Sequence, residues 1–263
     1  METVRCKRKR QRNGESGLLN TMLHPRPSLL GVLVLLLGIG LQAANRSPFM
    51  AVESYAEDAL SSQTPLPNYK PRKENAPRAR IGGQNRGMES DAPLLVALVP
   101  DHVAFTIKND PSLCWYLSRH TSNLLTITLV DSRGIRPILE ESLPSPLGAG
   151  IHCIRLGDYG VILREQEQYR WFVTLVLDPE HPSRDVVAGG TIERVSFSEA
   201  CALDMPCTWT SCDREAINRY SESGLWYDAI ACLLELIEHD GNNTYLKAIL
   251  QHLLNQSGVH WPG

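Results

Sequence analysis

Tyr169-Arg170-Trp171-Phe172-Val173-Thr174-Leu175-Val176-Leu177 is a run of aromatic and β-branched residues with no breaker. Such side chains suit a pleated, half-buried surface, so the run predicts a strand. Asp178-Pro179-Glu180-His181-Pro182 reads as its loop, and Asp185 to Val195 as the last strand, with Gly189-Gly190 marking a bulge.

Working outward, Leu124 to Val130 alternates, with Thr126 and Thr128 facing opposite to Ile127 and Leu129. Asp131-Ser132-Arg133-Gly134 is a turn, and Ile135 to Leu143 returns as a partner strand weakened by Pro137. Gly150 to Leu156, Leu94 to Val99 (closed by Pro100) and the aromatic segment Cys114-Trp115-Tyr116-Leu117 complete the set. Short strands at near-regular spacing, without helical crossovers, predict a mainly β chain with some α. The expected core is an antiparallel immunoglobulin-like β-sandwich over residues 93–200.

After a cysteine-containing connector, 201–212, the period becomes helical. Asp213 caps a short helix through Tyr220 that Gly224 ends. Leu225 to His239 is a second helix. Trp226, Ala229, Ile230, Leu233 and Ile237 group on one side, and Asp228, Glu235, Glu238 and His239 on the other. Gly241-Asn242-Asn243 turns into a third helix, Thr244 to Leu254, so residues 213–256 form a tail ending in a short helical hairpin packed on the sandwich.

The front of the chain sets the compartment. Arg5-Cys6-Lys7-Arg8-Lys9-Arg10 precedes the apolar run Leu29 to Leu41 and the small residues Ala43 and Ala44. That order is a secretory signal, and the run is short for a span of about 20 apolar residues. Residues 1–44 therefore read as a signal peptide, cleaved or kept as an N-terminal anchor, with Met1 or Met22 as the start. The expected location is periplasmic or extracellular. Residues 45–92 read as a disordered basic linker, broken by Pro65, Pro67, Pro71 and Pro77 and carrying Lys70, Arg72, Lys73, Arg78, Arg80 and Arg86. Beyond residue 44 the chain holds 19 Lys+Arg against 27 Asp+Glu, a net −8. So acidic a portion excludes nucleic acid as a partner. Membrane contact is expected only through the N-terminal segment. Cys114, Cys153, Cys201, Cys207, Cys212 and Cys232 make an even set for an oxidising compartment, and their spacing does not choose a pairing.

Cys114-Trp115-Tyr116, Tyr169-Arg170-Trp171, Asp178-Pro179 with Ser183-Arg184-Asp185, and Tyr220, Glu222, Gly224-Leu225-Trp226-Tyr227-Asp228-Ala229 follow one another along the chain. In these motifs and their order the chain resembles the domain of unknown function 928 family of exported bacterial proteins. The resemblance spans Leu94 to Leu236 and implies a signal, a basic linker, a β domain and a helical tail. It implies no catalytic residues. A bulky aromatic often follows the glycine of the family's last strand, where this chain has Gly189-Gly190-Thr191.

One cluster could support catalysis: Asp178, His181 and Asp185, carboxylates and a histidine on one loop that could bind a metal or move a proton. The other reading is a hairpin loop that uses Asp and Pro for its turn. His102, His120 and His152 show no metal spacing, and His152 is expected to face solvent. Adjacent Glu140 and Glu141 point to opposite faces of a strand. Neither a Gly-x-Ser-x-Gly elbow nor a phosphate-binding Gly-x-x-x-x-Gly-Lys loop is present. Tyr169, Arg170, Trp171, Trp226 and Tyr227 are either a binding platform or core. The expectation is an exported, non-catalytic binding or scaffolding protein of the bacterial envelope. It needs no cofactor and its partner is an envelope protein or polymer. The alternative is an envelope hydrolase or metal-dependent enzyme using the 178–185 loop.

Overall fold

The computed structural model describes residues 5–6, 65–72, 80–82, 92–201 and 211–260. Residues 1–9 and 65–263 form one unit, and residues 10–64 a second unit that lies outside the described residues. The signal apart from Arg5–Cys6, most of the linker and Cys207 fall outside them too.

In chain order the strands are β1 (Arg5–Cys6), β2 (Leu95–Ala97), β3 (Ala104–Thr106), β4 (Ser112–Leu117), β5 (Leu125–Asp131), β6 (Pro137–Ser142), β7 (Gly150–Arg155), β8 (Gln168–Leu175) and β9 (Val186–Arg194). The helices are α1 (Phe197–Cys201), α2 (Arg214–Glu222), α3 (Trp226–His239) and α4 (Thr244–Gln256). One sheet has the order β1-β7-β4-β2 and the other β3-β9-β8-β5-β6, and neither closes into a barrel. The chain is mainly β, with C-terminal helices.

Alternation explains the strands. In β8, Tyr169, Trp171, Val173 and Leu175 are buried while Gln168 and Arg170 are exposed, and in β5, Leu125, Ile127 and Leu129 are buried. These side chains join Trp115 of β4 and Trp226 of α3 in one core shared by both sheets and the helices. Removing that apolar surface from water contributes about 25 cal/mol per Å² and is the main drive to fold.

Three expectations change. The pairing is not wholly antiparallel, because β3 runs parallel to β9 (Ala104↔Ile192 to Thr106↔Arg194). Val103-Ala104-Phe105-Thr106 is too short and too uniformly buried to show a period, so β3 left no alternation to read. The expected bulge at Gly189-Gly190 is absent, since β8 and β9 stay in register from Gln168↔Glu193 to Leu175↔Val186. A Cβ at Gly190 would stand 2.6 Å from Val99 Cγ2, so the glycine lets the β2–β3 connection approach β9. His152, expected outside, is only 9% exposed, stacks on Trp115 with centroids 6.0 Å apart, and has Nε2 2.8 Å from the Gly148 carbonyl.

The helices start where predicted. Asp213 Oδ1 accepts from Ala216 N at 2.7 Å, and Asn243 Oδ1 accepts from Leu246 N at 3.1 Å. Gly224 ends the α2 turn at φ +70°, the left-handed region that glycine enters freely.

Candidate functional site

The 178–185 loop brings its candidates close together but spends them on the loop itself. Asp178 Oδ1 accepts from Glu180 N at 3.0 Å, and His181 Nδ1 lies 2.8 Å from Asp178 Oδ2. The His181 hydrogen bond, then the Glu180 N–H, hold the Asp178 carboxyl below its ordinary range. Asp185 Oδ1 turns back to accept from Leu177 N at 3.2 Å. The His181 side chain is 66% exposed. This geometry ties a turn, and the three side chains do not converge on a shared point. Among the described residues no group of three or more His, Cys, Asp or Glu could hold a metal ion.

The aromatic candidates are core, not platform. Trp171 Nε1 donates to Tyr227 Oη at 2.8 Å, and Tyr227 Oη donates to the Thr191 carbonyl at 3.3 Å. Trp226 Nε1 donates to the Leu98 carbonyl at 2.9 Å. The first residues of α3 thus reach into both sheets, and the two side-chain donors they bring, the Trp226 N–H and the Tyr227 O–H, each have a partner. Burial is the main cause raising the Tyr227 hydroxyl's pKa, against the lowering effect of the Trp171 N–H. Tyr169 Oη accepts from Arg164 N at 3.1 Å and donates to Glu167 Oε2 at 2.7 Å, while Arg170 is exposed on the opposite face.

Among the described residues, four cysteines pair. Cys114 and Cys153 face each other across β4 and β7 and form one disulfide. Cys212 and Cys232 tie the start of α2 to α3. Cys201 ends α1, and its side chain is outside the description.

Convergent polar groups occur at a place the sequence did not flag. A recess of about 490 Å³ is lined by Tyr69, Pro71, Asp101, His102, Gln256, Ser257 and Gly258. Tyr69 lies inside the stretch read as linker, yet it is 4% exposed and meets Trp226 edge-on with centroids 4.8 Å apart. Its hydroxyl is 3.0 Å from His102 Nε2, and Asp101 Oδ1 is 3.5 Å from His102 Nδ1. Burial pushes the Tyr69 hydroxyl pKa up, so it stays protonated and can donate. The Asp101–His102–Tyr69 chain thus ends in a buried phenol at the wall of an open recess.

A family model described as Domain of Unknown Function (DUF928) matches residues 81–261. The chain belongs to the DUF928 family. Comparison with curated proteins and with solved structures gave no significant match.

The DUF928 span contains Asp101, His102 and Gln256–Gly258, whereas Tyr69 and Pro71 precede it. It also contains Asp228, expected on the solvent face of its helix but 1% exposed. Asp228 Oδ2 accepts from Ile107 N at 3.1 Å, joining α3 to the end of β3, while Oδ1 is buried with no hydrogen-bond partner. Desolvation raises its pKa to about 6, against the lowering effects of Lys108 and the Ile107 N–H. The expectation failed because α3 packs against β3, β4, α2 and α4, so its N-terminal half has almost no solvent face. Tyr69 was hidden by averaging: its neighbours Pro67, Lys70, Pro71 and Arg72 make the window polar. The available signal was an aromatic residue set among prolines.

Proposed function

We propose that this DUF928 protein is an exported, non-catalytic, immunoglobulin-like sandwich that binds a component of the bacterial envelope at the Tyr69–His102 recess. The recess carries the reading, because a concave site with a few convergent polar groups is where a ligand gains both burial and orientation. Asp101 and the Ser257 hydroxyl oxygen can accept hydrogen bonds beside Pro71 and the edge of Tyr69, while His102, held by Tyr69 and Asp101, shapes the wall. Such a lining suits a polar envelope polymer fragment or an extended peptide. Two disulfides in a β-rich unit favour an oxidising compartment, and with it the signal reading of residues 1–44.

Strand order supports the immunoglobulin-like reading. In sandwich lettering, β2-β4-β7 follow A-B-E, and β9-β8-β5-β6 follow G-F-C-C′. Tyr169 stands at the start of the F-like strand with its hydroxyl on the Arg164 backbone, the arrangement of a tyrosine corner. Trp171 then occupies the place where antibody domains carry their second cysteine. The disulfide differs, since Cys114–Cys153 joins neighbours within one sheet. Fold alone implies no ligand, so the recess must carry the function.

The test is calorimetric titration of the purified chain with soluble cell-wall saccharide and peptide fragments, beside His102→Ala. Binding that weakens at least tenfold in the variant supports the reading. No binding by either protein, or equal binding by both, ends it. The enzymatic alternative at Asp178, His181 and Asp185 has no convergent geometry in its favour.

A further inference from the structure

Residues 65–72 do more than line the recess. Tyr69 N donates to Gln256 Oε1 at 2.9 Å, while Gln256 Nε2 donates to the Tyr69 carbonyl at 3.3 Å and to Asn68 Oδ1. One amide thus grips the backbone of the segment from both sides. Lys70 N donates to the Ser221 carbonyl at 3.1 Å. Arg72 Nη1 donates to the Ser223 carbonyl at 3.3 Å, Nη2 reaches Glu199 Oε1 at 3.2 Å, and the guanidinium sits 5.8 Å from the centre of the Phe105 ring. The Tyr69 ring fills a slot against Trp226 and His102. At Gly224 a Cβ would stand 2.5 Å from Arg72 Cγ and 2.6 Å from the Lys70 carbonyl oxygen. The turn between α2 and α3 is therefore bare where the segment crosses it.

These contacts have the parts of a peptide-recognition site: a buried aromatic anchor, main-chain hydrogen bonds and a charged slot for an arginine. We propose that the groove formed by Glu199, Ser221–Gly224, Trp226, His102 and Gln256 is a receptor for an extended Asn-Tyr-x-Pro-Arg segment, occupied in cis by residues 68–72 as a strap. Tyr69 and Pro71 are also walls of the recess. Closing the strap and completing the recess are one event, so a ligand in the recess and a docked strap stabilise each other. The claim about the groove stands without any recess ligand, because its test uses the strap sequence alone.

The probe is a fluorescein-labelled peptide of residues 65–74, added to the full chain and followed by anisotropy. A Tyr69→Ala/Arg72→Ala variant removes both anchors of the cis strap and leaves the groove intact. It should bind the peptide saturably, and wild type at least tenfold more weakly, because a tethered segment competes at an effective concentration on the order of millimolar. A peptide with Tyr69→Ala should not bind. The proposal is overturned if the folded double variant fails to bind, if wild type binds equally, or if the alanine peptide binds as well as the native one. Should the double variant not fold, hydrogen exchange of the wild-type chain decides. Slow exchange at the Tyr69 and Lys70 amides, with Gln256→Ala speeding that of Tyr69, supports the strap; exchange at free-peptide rates refutes it.

Discussion

Tyr227→Phe tests the polar link between the helical tail and the sheets. The variant keeps the ring and removes one oxygen, which at present accepts from Trp171 Nε1 and donates to the Thr191 carbonyl. The Trp171 indole N–H would be left buried beside a phenyl ring. An unsatisfied buried donor costs about 1–3 kcal/mol, and losing the longer bond to Thr191 adds up to about 1. We therefore expect a loss of about 2–3 kcal/mol. For a unit of this size that lowers Tm by about 4–12 °C. Urea denaturation of wild type, Tyr227→Phe, Trp171→Phe and the double variant measures the coupling. Without the indole N–H, deleting the hydroxyl costs only the Thr191 bond, so the second substitution should cost about 1 kcal/mol in the Trp171→Phe background. A Tyr227→Phe chain within about 0.5 kcal/mol of wild type, or strictly additive losses, would show that the hydrogen-bond chain does not couple the tail to β8.

Asp228 gives a pH signature. Its folded pKa, about 6, lies above the ordinary aspartate value of 3.8, so between these pH values the folded chain holds more protons than the unfolded one. Stability from this group is full below about pH 4, falls as pH rises through about 6, and levels off about 3 kcal/mol lower. Asp228→Asn should flatten that slope in urea midpoints taken at pH 4.5, 6 and 7.5; parallel curves would refute the assignment. Replacing Cys114 and Cys153 by Ala opens a loop with a sequence separation of 39, worth about 4 kcal/mol by chain entropy. The Cys212–Cys232 pair, at a separation of 20, is worth about 3 kcal/mol, and denaturation should rank the two pairs in that order. His181→Ala should change stability by less than about 0.5 kcal/mol, because the side chain is exposed and tied only to its own loop. A larger loss, or a ligand bound through His181, would return the 178–185 loop to consideration.

The sheets were legible because their strands alternate. Leu125, Ile127 and Leu129 against Thr126 and Thr128 fix one face of β5, and the breaker-free run from Tyr169 fixes β8. The helix starts were legible because Asp213 and Asn243 are capping residues at the right offsets. What stayed hidden depends on neighbours distant in sequence. β3 is covered on both faces and shows no period, Asp228 is buried by elements packing around α3, and Tyr69 finds its slot on Gln256, Ser221 and Trp226. His102 was visible as a histidine, but only folding brings it beside Tyr69. Of the candidate sites, the 178–185 cluster was the easiest to notice, because its residues are adjacent in sequence. That same closeness is why they satisfy one another as a turn.

The proposed function requires a chain that is oxidised outside the cytosol and folds around paired strands. Non-reducing peptide mapping by mass spectrometry, on protein taken from fractionated cells, tests both parts together. Cys114 linked to Cys153 and Cys212 linked to Cys232 in the envelope fraction is the predicted result. Free thiols at these four positions, or full-length protein confined to the cytoplasm, would contradict it.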